Sequence, residues 1–526
     1  MKKLSRILII SAGFILTLGS CKKYLDINTN PNASTSTTAE LVLPQAMVYT
    51  ATMLSAYNNY GIGVVGYASN GGGYGGFGVT WTYDYKTTDQ AGLWSGSYDL
   101  LNDIQYVITS TASDPSKSVL NGVARILKAY NFQMLVDQYN SVPYFNALTG
   151  EKSLTPTYDD PKLIYQDLAN QLDSAITLID AGDASLLKST VDPLFAGDIT
   201  KWKQFANTIK LRLIVRASAA MSFTNTTFST DGFLTDDAIV NPGYQLASGQ
   251  VNPNWGSWVA SYTGSAVGRF YIPSPYILAF YNGTKIADSA RASVIYYDYP
   301  NTPNAQLGIA LNVPNAPAVS GAWYSGPGVS AGGTALGNAQ GVMKGPNMGE
   351  PLMLEAESYF LQAEADVRGI LTGTAATDFN KGIFASFEYL YELPNLTASI
   401  NPVTHHNDTT DVANYLADNA GNPLVDFSAA TTEAQQIEAI ITQKYIALNF
   451  INGQEAWNEY RRTGYPYSSP SVTNNATNSF ASTQSQATRS DKLPTRLLYP
   501  NTELLYNNKS VPTGINAYTS LIFWAK

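Results

Sequence analysis

Few residues in this chain of 526 are equipped for chemistry. It has two histidines, His405 and His406, and one cysteine, Cys21, beside 40 aspartates and glutamates. Ser330 stands in Gly-Val-Ser-Ala-Gly, the pattern of a nucleophile elbow. Such an elbow needs a strand, a sharp turn and a helix, and its base must lie within reach. The flanks, YSGPGVSAGGTALGNAQG, offer neither element. A chance match in a loop rich in small residues explains the motif better. The two histidines fall in HHNDTTD, next to Asp408 and Asp411. Adjacent side chains on an extended segment point apart, and no further His or Cys completes a zinc site. A solvated loop is expected there, and a structural calcium held by oxygen ligands stays open without placed ligands. GIGVVG, Gly61–Gly66, fits the dinucleotide fingerprint in letters, but a helical pattern precedes it where a strand is required. Glycoside hydrolysis needs two carboxylates across one bond. The densest acidic cluster (Glu350, Glu355, Glu357, Glu364, Asp366) lies along one helical stretch, as helix pairing or a solvated face would have it. No catalytic residue and no metal ligand is assigned.

Cys21 has a different context. Lys2, Lys3 and Arg6 precede the apolar run Ile7–Leu18. That run is 12 residues long, short of the roughly 20 that cross a bilayer. Leu-Gly-Ser-Cys at 18–21 then matches a bacterial lipobox. The pattern predicts a signal peptide over 1–20 and lipid attachment at Cys21. A lipidated flexible tether follows over 21–39, then one domain over 40–526. No later window has the length of a membrane span. The net charge of -9 and pI of 4.9, without basic clusters, argue against nucleic acid as a partner.

Positioning elements are helical. Apolar residues recur at helical spacing over Glu40–Tyr57, Gly92–Thr111, Ser118–Phe145 up to Pro143, Asp160–Asp180 and Thr200–Met221, with Thr200 as a cap. The pattern resumes over Glu350–Gly369, Asp378–Leu393 and Thr432–Pro466, and more briefly over Leu493–Asn508. Between them, about 222–346 is rich in Gly, Pro, Asn and aromatics, and a segment that long without periodicity is usually functional. The chain carries 35 Tyr against 19 Phe. Tyrosine suits surfaces apolar on one side and wet on the other. Trp81, Tyr83, Trp255, Trp258, Trp323 and Tyr324 stand in WTYDYK, NPNWGSWVASY and SGAWYSG, beside polar and small residues. Rings so placed suit the apolar face of a sugar, and these six are the candidate ligand-binding residues. The competing role is to pin the loops to the scaffold.

Several segments, in order, carry a family resemblance: CKKYLDINTNPN, ILKAYNFQMLVDQYNSVPYF, KWKQFANTIKLRLIVRAS, ESYFLQAEADVRG, EAIITQKYIALNFINGQEAWNEYRRTGYP and LPTRLLYPNTE. The chain resembles the SusD/RagB nutrient-binding lipoproteins of the Bacteroidota. One departure is Tyr139-Asn-Ser-Val-Pro143, where the family has Tyr-Gly-Asp-Val-Pro. The resemblance implies a mainly α fold, with tetratricopeptide-like helix pairs behind a large loop-rich ligand face. It implies a lipid-anchored protein of the outer membrane, exposed on the cell surface. Such a protein captures oligosaccharide and delivers it to a TonB-dependent, SusC-like transporter, without catalysis. A peptide cargo, or a surface hydrolase, is the alternative. Within the scaffold, Glu357, Glu364 and Arg368 are expected to join helices, and Arg461 and Arg462 to satisfy carboxylates or helix ends.

Overall fold

The computed structural model describes residues 37–526 apart from 72–76, 269, 310–321, 327–339, 393–407 and 472–474. Cys21, Ser330, His405 and His406 lie outside the described residues. The long helices are α1 Ala39–Val64, α2 Ala91–Thr111, α3 Ser118–Tyr139, α4 Pro161–Ala181, α5 Ile199–Ala217, α6 Glu355–Val367, α7 Ala375–Tyr391, α8 Asp408–Asp418, α9 Glu433–Ala447 and α10 Gly453–Thr463. Helices adjacent in the chain pack on one another: α1 on α2, α2 on α3, α3 on α4, α4 on α5, and α6 on α7. α6 also rests on α5 and α9, and α10 on α1, so the two helical groups share one core.

Local chemistry explains the boundaries. α4 starts at Pro161, with the Asp160 carboxylate accepting from Lys162 N, because proline fits the first helical position and Asp satisfies a free donor. α5 starts one residue before Thr200: Asp198, not Thr200, is the cap, and accepts from Thr200 N at 2.9 Å and Lys201 N at 3.1 Å. Thr432 and Gln435 form a reciprocal capping box ahead of α9. α1 runs seven residues past the apolar stripe and takes in Gly61–Val64, so the GIGVVG motif closes a helix and is not a nucleotide cradle. Gly61 is there for contact. A Cβ on it would sit 2.2 Å from Gly453 C and Gln454 N, so this glycine lets α1 touch the start of α10.

Three stretches differ from their sequence pattern. Glu350–Met353 is a strand, not the first turn of α6. The run over 432–466 breaks at Leu448–Asn452 into α9 and α10. Asp408–Asp411, expected in a loop, opens α8, where acidic residues favour the positive helix N-terminus.

The helices meet through buried charge. Arg216 on α5 pairs with Asp137 at 2.5 Å, with Glu455, and with Glu459 at 3.4 Å. Lys444 on α9 lies 2.8 Å from Glu455, 3.1 Å from Glu459 and 3.6 Å from Glu357. Arg212 reaches Glu357 at 3.2 Å. Arg462 holds Glu364 at 2.6 Å, and Arg368 shares that carboxylate at 2.7 Å. Arg461 donates to the carbonyls of Thr495 and Asp137, both at 2.8 Å. Apart from half-buried Arg368, these side chains are buried. Burial pushes the Glu459 carboxyl up. Arg462, Lys444 and Arg216 outweigh it and hold that carboxyl well below its usual range. The expected joining roles of Glu357, Glu364, Arg461 and Arg462 are therefore met by named partners, whereas Arg368 pairs within its own helix, with Glu364 four residues back.

Candidate functional site

Two short antiparallel ribbons organise the loop-rich face. β1 Ala68–Asn70 pairs with β3 Tyr271–Pro273, and β2 Ala238–Val240 pairs with β4 Glu350–Met353. The first ribbon places Asn70 opposite Tyr271. It thereby joins the chain leaving α1 to a segment two hundred residues later.

Around that ribbon the rings form a continuous series. Trp81, on the short helix Val79–Thr82, stacks on Phe77 with centroids 5.4 Å apart and planes at 11°. Phe77 meets Phe270 and Tyr271 edge-on, at 5.9 and 5.6 Å. Tyr271 lies 4.7 Å from Trp258, and Trp258 meets Phe450 edge-on at 5.0 Å. Tyr324 stacks on Phe450 from the inner side. The outer end of the series is open: Trp81, Phe270 and Tyr271 are half-buried. Tyr262, at the tip of a turn closed by the Ala260–Ala266 bridge, is 51% exposed.

Asn70 holds this end together. Its side-chain oxygen accepts from Trp81 Nε1 at 3.0 Å and from Gly308 N at 3.2 Å. Its amide nitrogen is buried without a partner. An edge-fixed, half-buried indole can stack on an apolar ring face, while the Asn70 amide, fully buried, serves only to fix it.

The six candidate residues divide sharply. Trp81 keeps part of its ring at the surface, whereas Tyr83, Trp255, Trp258, Trp323 and Tyr324 are buried. The Tyr83 hydroxyl accepts from Ser482 N at 3.2 Å, and burial pushes it far above its usual pKa. Trp258 donates to Asn59, and Tyr324 donates to Tyr67 O at 3.1 Å. Trp323 packs edge-on against Tyr297 at 5.7 Å. These five rings are packed into the core cluster rather than presented at the surface. The ring series brings Trp81, Trp258 and Tyr324 together. Phe77, Phe270 and Tyr271 belong to the open end and carried no assignment from the sequence. Their one signal was aromatic residues beside GGYGG and in RFY.

Behind the face lies an unusual carboxyl. Glu350 on β4 is fully buried, accepting from Asn252 Nδ2 at 3.0 Å and Asn254 Nδ2 at 2.6 Å. Asn254 in turn accepts from Ser55 on α1 at 2.8 Å. No cation pairs with Glu350 in any described ion pair, and burial pushes its pKa up to about 8. Among the described residues, no group of three or more His, Cys, Asp or Glu is placed to hold a metal ion. No helix among them is long and apolar enough to cross a membrane.

Comparison with known proteins follows the same division of the chain. Residues 31–233 match a family described as starch-binding and associating with the outer membrane. Residues 342–520 match the family described as SusD and RagB outer membrane lipoprotein. No curated protein sequence matches. Solved structures do. A SusD homologue from Bacteroides fragilis is 20% identical, covers 93% of this chain and 99% of its own, and superposes with a TM-score of 0.62. A SusD/RagB family protein from Bacteroides thetaiotaomicron is 19% identical, with 93% and 99% coverage and a TM-score of 0.64. A protein described as chitin-binding is 24% identical, with the same coverage and a TM-score of 0.63.

Proposed function

Because the chain belongs to the SusD/RagB family of outer-membrane lipoproteins, we propose that it captures oligosaccharide at the Trp81 end of the aromatic series. It passes the cargo to a TonB-dependent transporter in the same membrane. The family binds nutrients and does not catalyse, and the fold is that of its members. Lipid attachment at Cys21 supplies the anchor, through the lipobox motif. The carrying observation is the half-buried Trp81, fixed by Asn70 and backed by Phe77. Phe270, Tyr271 and exposed Tyr262 extend the platform. Tyr83, Trp255, Trp258, Trp323 and Tyr324 serve the ligand by holding that platform in place. A structural neighbour described as chitin-binding makes N-acetylated chitooligosaccharides a first probe, next to starch oligosaccharides.

Calorimetry against an oligosaccharide and peptide panel tests this reading. A bound oligosaccharide should lose about 30-fold in affinity in Trp81→Ala, the loss of roughly 2 kcal/mol expected of a central stacking residue. A panel in which only peptides bind, or a bound sugar indifferent to Trp81, overturns it.

A further inference from the structure

A second concave feature lies at the inner end of the ring series. The series continues from Tyr324 to Tyr296 at 5.6 Å, and from Tyr296 to Tyr281 at 5.8 Å. There a cavity of 420 Å³ opens between α8 and the turn bridged by Asn282 and Ala287. Small-molecule sites commonly span about 300–1,000 Å³. None of the rings from Trp81 to Tyr324 lines this cavity.

Its walls are bonded to each other. Asn419, directly after α8, accepts from Ala287 N at 2.9 Å and donates to Ala287 O at 2.8 Å. Asn422 donates to Lys285 O at 2.8 Å. Two lining carboxylates belong to the scaffold. Asp288 is buried and held by Arg291 at 2.6 Å, and Asp411 accepts from the Tyr391 hydroxyl at 2.8 Å. A site built this way loses little freedom when a ligand enters.

The other lining groups are uncommitted. Asp411, Asn414, Tyr415 and Asp418 follow the i, i+3, i+4, i+7 spacing of one face of α8. Asn414 and Asp418 on that helix, and Ser289 from the opposite wall, are exposed and make no side-chain hydrogen bond or ion pair among the described residues. Tyr299 is half-buried, and its hydroxyl donates to Tyr281 O at 3.3 Å, which fixes the ring by its edge. An amide, a carboxylate and a hydroxyl around an aromatic ring offer donors and acceptors beside an apolar surface. A sugar matches that set, because each of its hydroxyls both donates and accepts and its ring has an apolar face. A bare cation does not. Asp411 and Asp418 stand about 10 Å apart along the helix axis, and no described group of carboxylates is placed to hold a metal ion.

We propose that this cavity is a second saccharide site, separate from the Trp81 platform. One sugar ring lies against Tyr299, and its hydroxyls bond to Asn414, Asp418 and Ser289. The choice of ligand class rests on the saccharide reading above; the place rests on the cavity alone.

Titration of the full chain with disaccharides of glucose and of N-acetylglucosamine, followed by calorimetry, tests the site. A disaccharide that binds should lose at least tenfold in affinity at one site in Asn414→Ala/Asp418→Ala, the effect of removing two hydrogen-bonding groups, one of them charged. Both positions are exposed on α8, so the fold is kept. Trp81→Ala should leave that site unchanged. Loss in the double variant alone keeps this proposal and removes the Trp81 platform as a sugar site. Loss in Trp81→Ala alone does the reverse and overturns it. Binding that neither variant changes also overturns it, as does a lysine-containing peptide that binds here while both disaccharides are silent, or no binding by any of these probes.

Discussion

Replacing Arg216 with methionine should lower folding stability by roughly 3–5 kcal/mol, the usual cost of leaving buried charge without its partner. The side chain sits among Asp137, Glu455 and Glu459, all buried. Its removal leaves Glu455 to Lys444, and Glu459 to Lys444 and Arg462, while Asp137 loses its one partner among the described ion pairs. Five basic and five acidic side chains balance in this interior: Arg212, Arg216, Lys444, Arg461 and Arg462 against Asp137, Glu357, Glu364, Glu455 and Glu459. The variant breaks that balance. Denaturant titration of the two proteins measures the loss. A second variant, Arg216→Met with Glu455→Leu, should recover part of it, because one stranded charge is gone. A loss below about 1 kcal/mol would place this network in the class of pairs that hydrophobic residues replace at no cost.

The second large effect is a slope in pH. Burial holds the Glu350 pKa up at about 8 in the folded chain, against 4.5 for the free side chain. Between those values the unfolded state has released its proton and the folded state has not. Stability therefore falls as pH rises through this window and levels off above pH 8. At pH 7 the deficit is roughly 3 kcal/mol. Glu350→Gln cannot ionise and should abolish this slope. Its amide nitrogen faces an asparagine donor, at a cost of about 1 kcal/mol. The variant is therefore the less stable protein near pH 4.5 and the more stable one at pH 8. Thermal or denaturant unfolding at pH 4.5, 6 and 8 reads the crossing. Parallel pH curves for the two proteins would mean that Glu350 is ionised in the fold.

Helix positions were legible because burial repeats every three to four residues within one element. Asp160–Asp180 needed only its own leucines and isoleucines to show an amphipathic α4. Glu350–Met353 was lost to α6 because a strand of four residues, buried throughout, has no period of its own. Asp408–Asp418 was lost because few of its side chains are buried and its acidic start reads as a loop. The loop-rich aromatic face was legible in kind and not in detail. Trp81 and Trp258 have equally polar neighbours in the sequence. Only the pairing of Asn70 with Tyr271 shows that one ring ends at the surface and the other lies beneath it. That pairing spans two hundred residues, and no local window contains it.

α1 connects both ends of the molecule that matter. It begins at Ala39, and its last turn leads into β1 and the ring series that ends at Trp81. Its 26 residues make a rod about 39 Å long, clamped to α10 where Gly61 meets Gly453. The helix is therefore a strut: packed along α2 and held by α10, it fixes the distance between its first turn and the aromatic series.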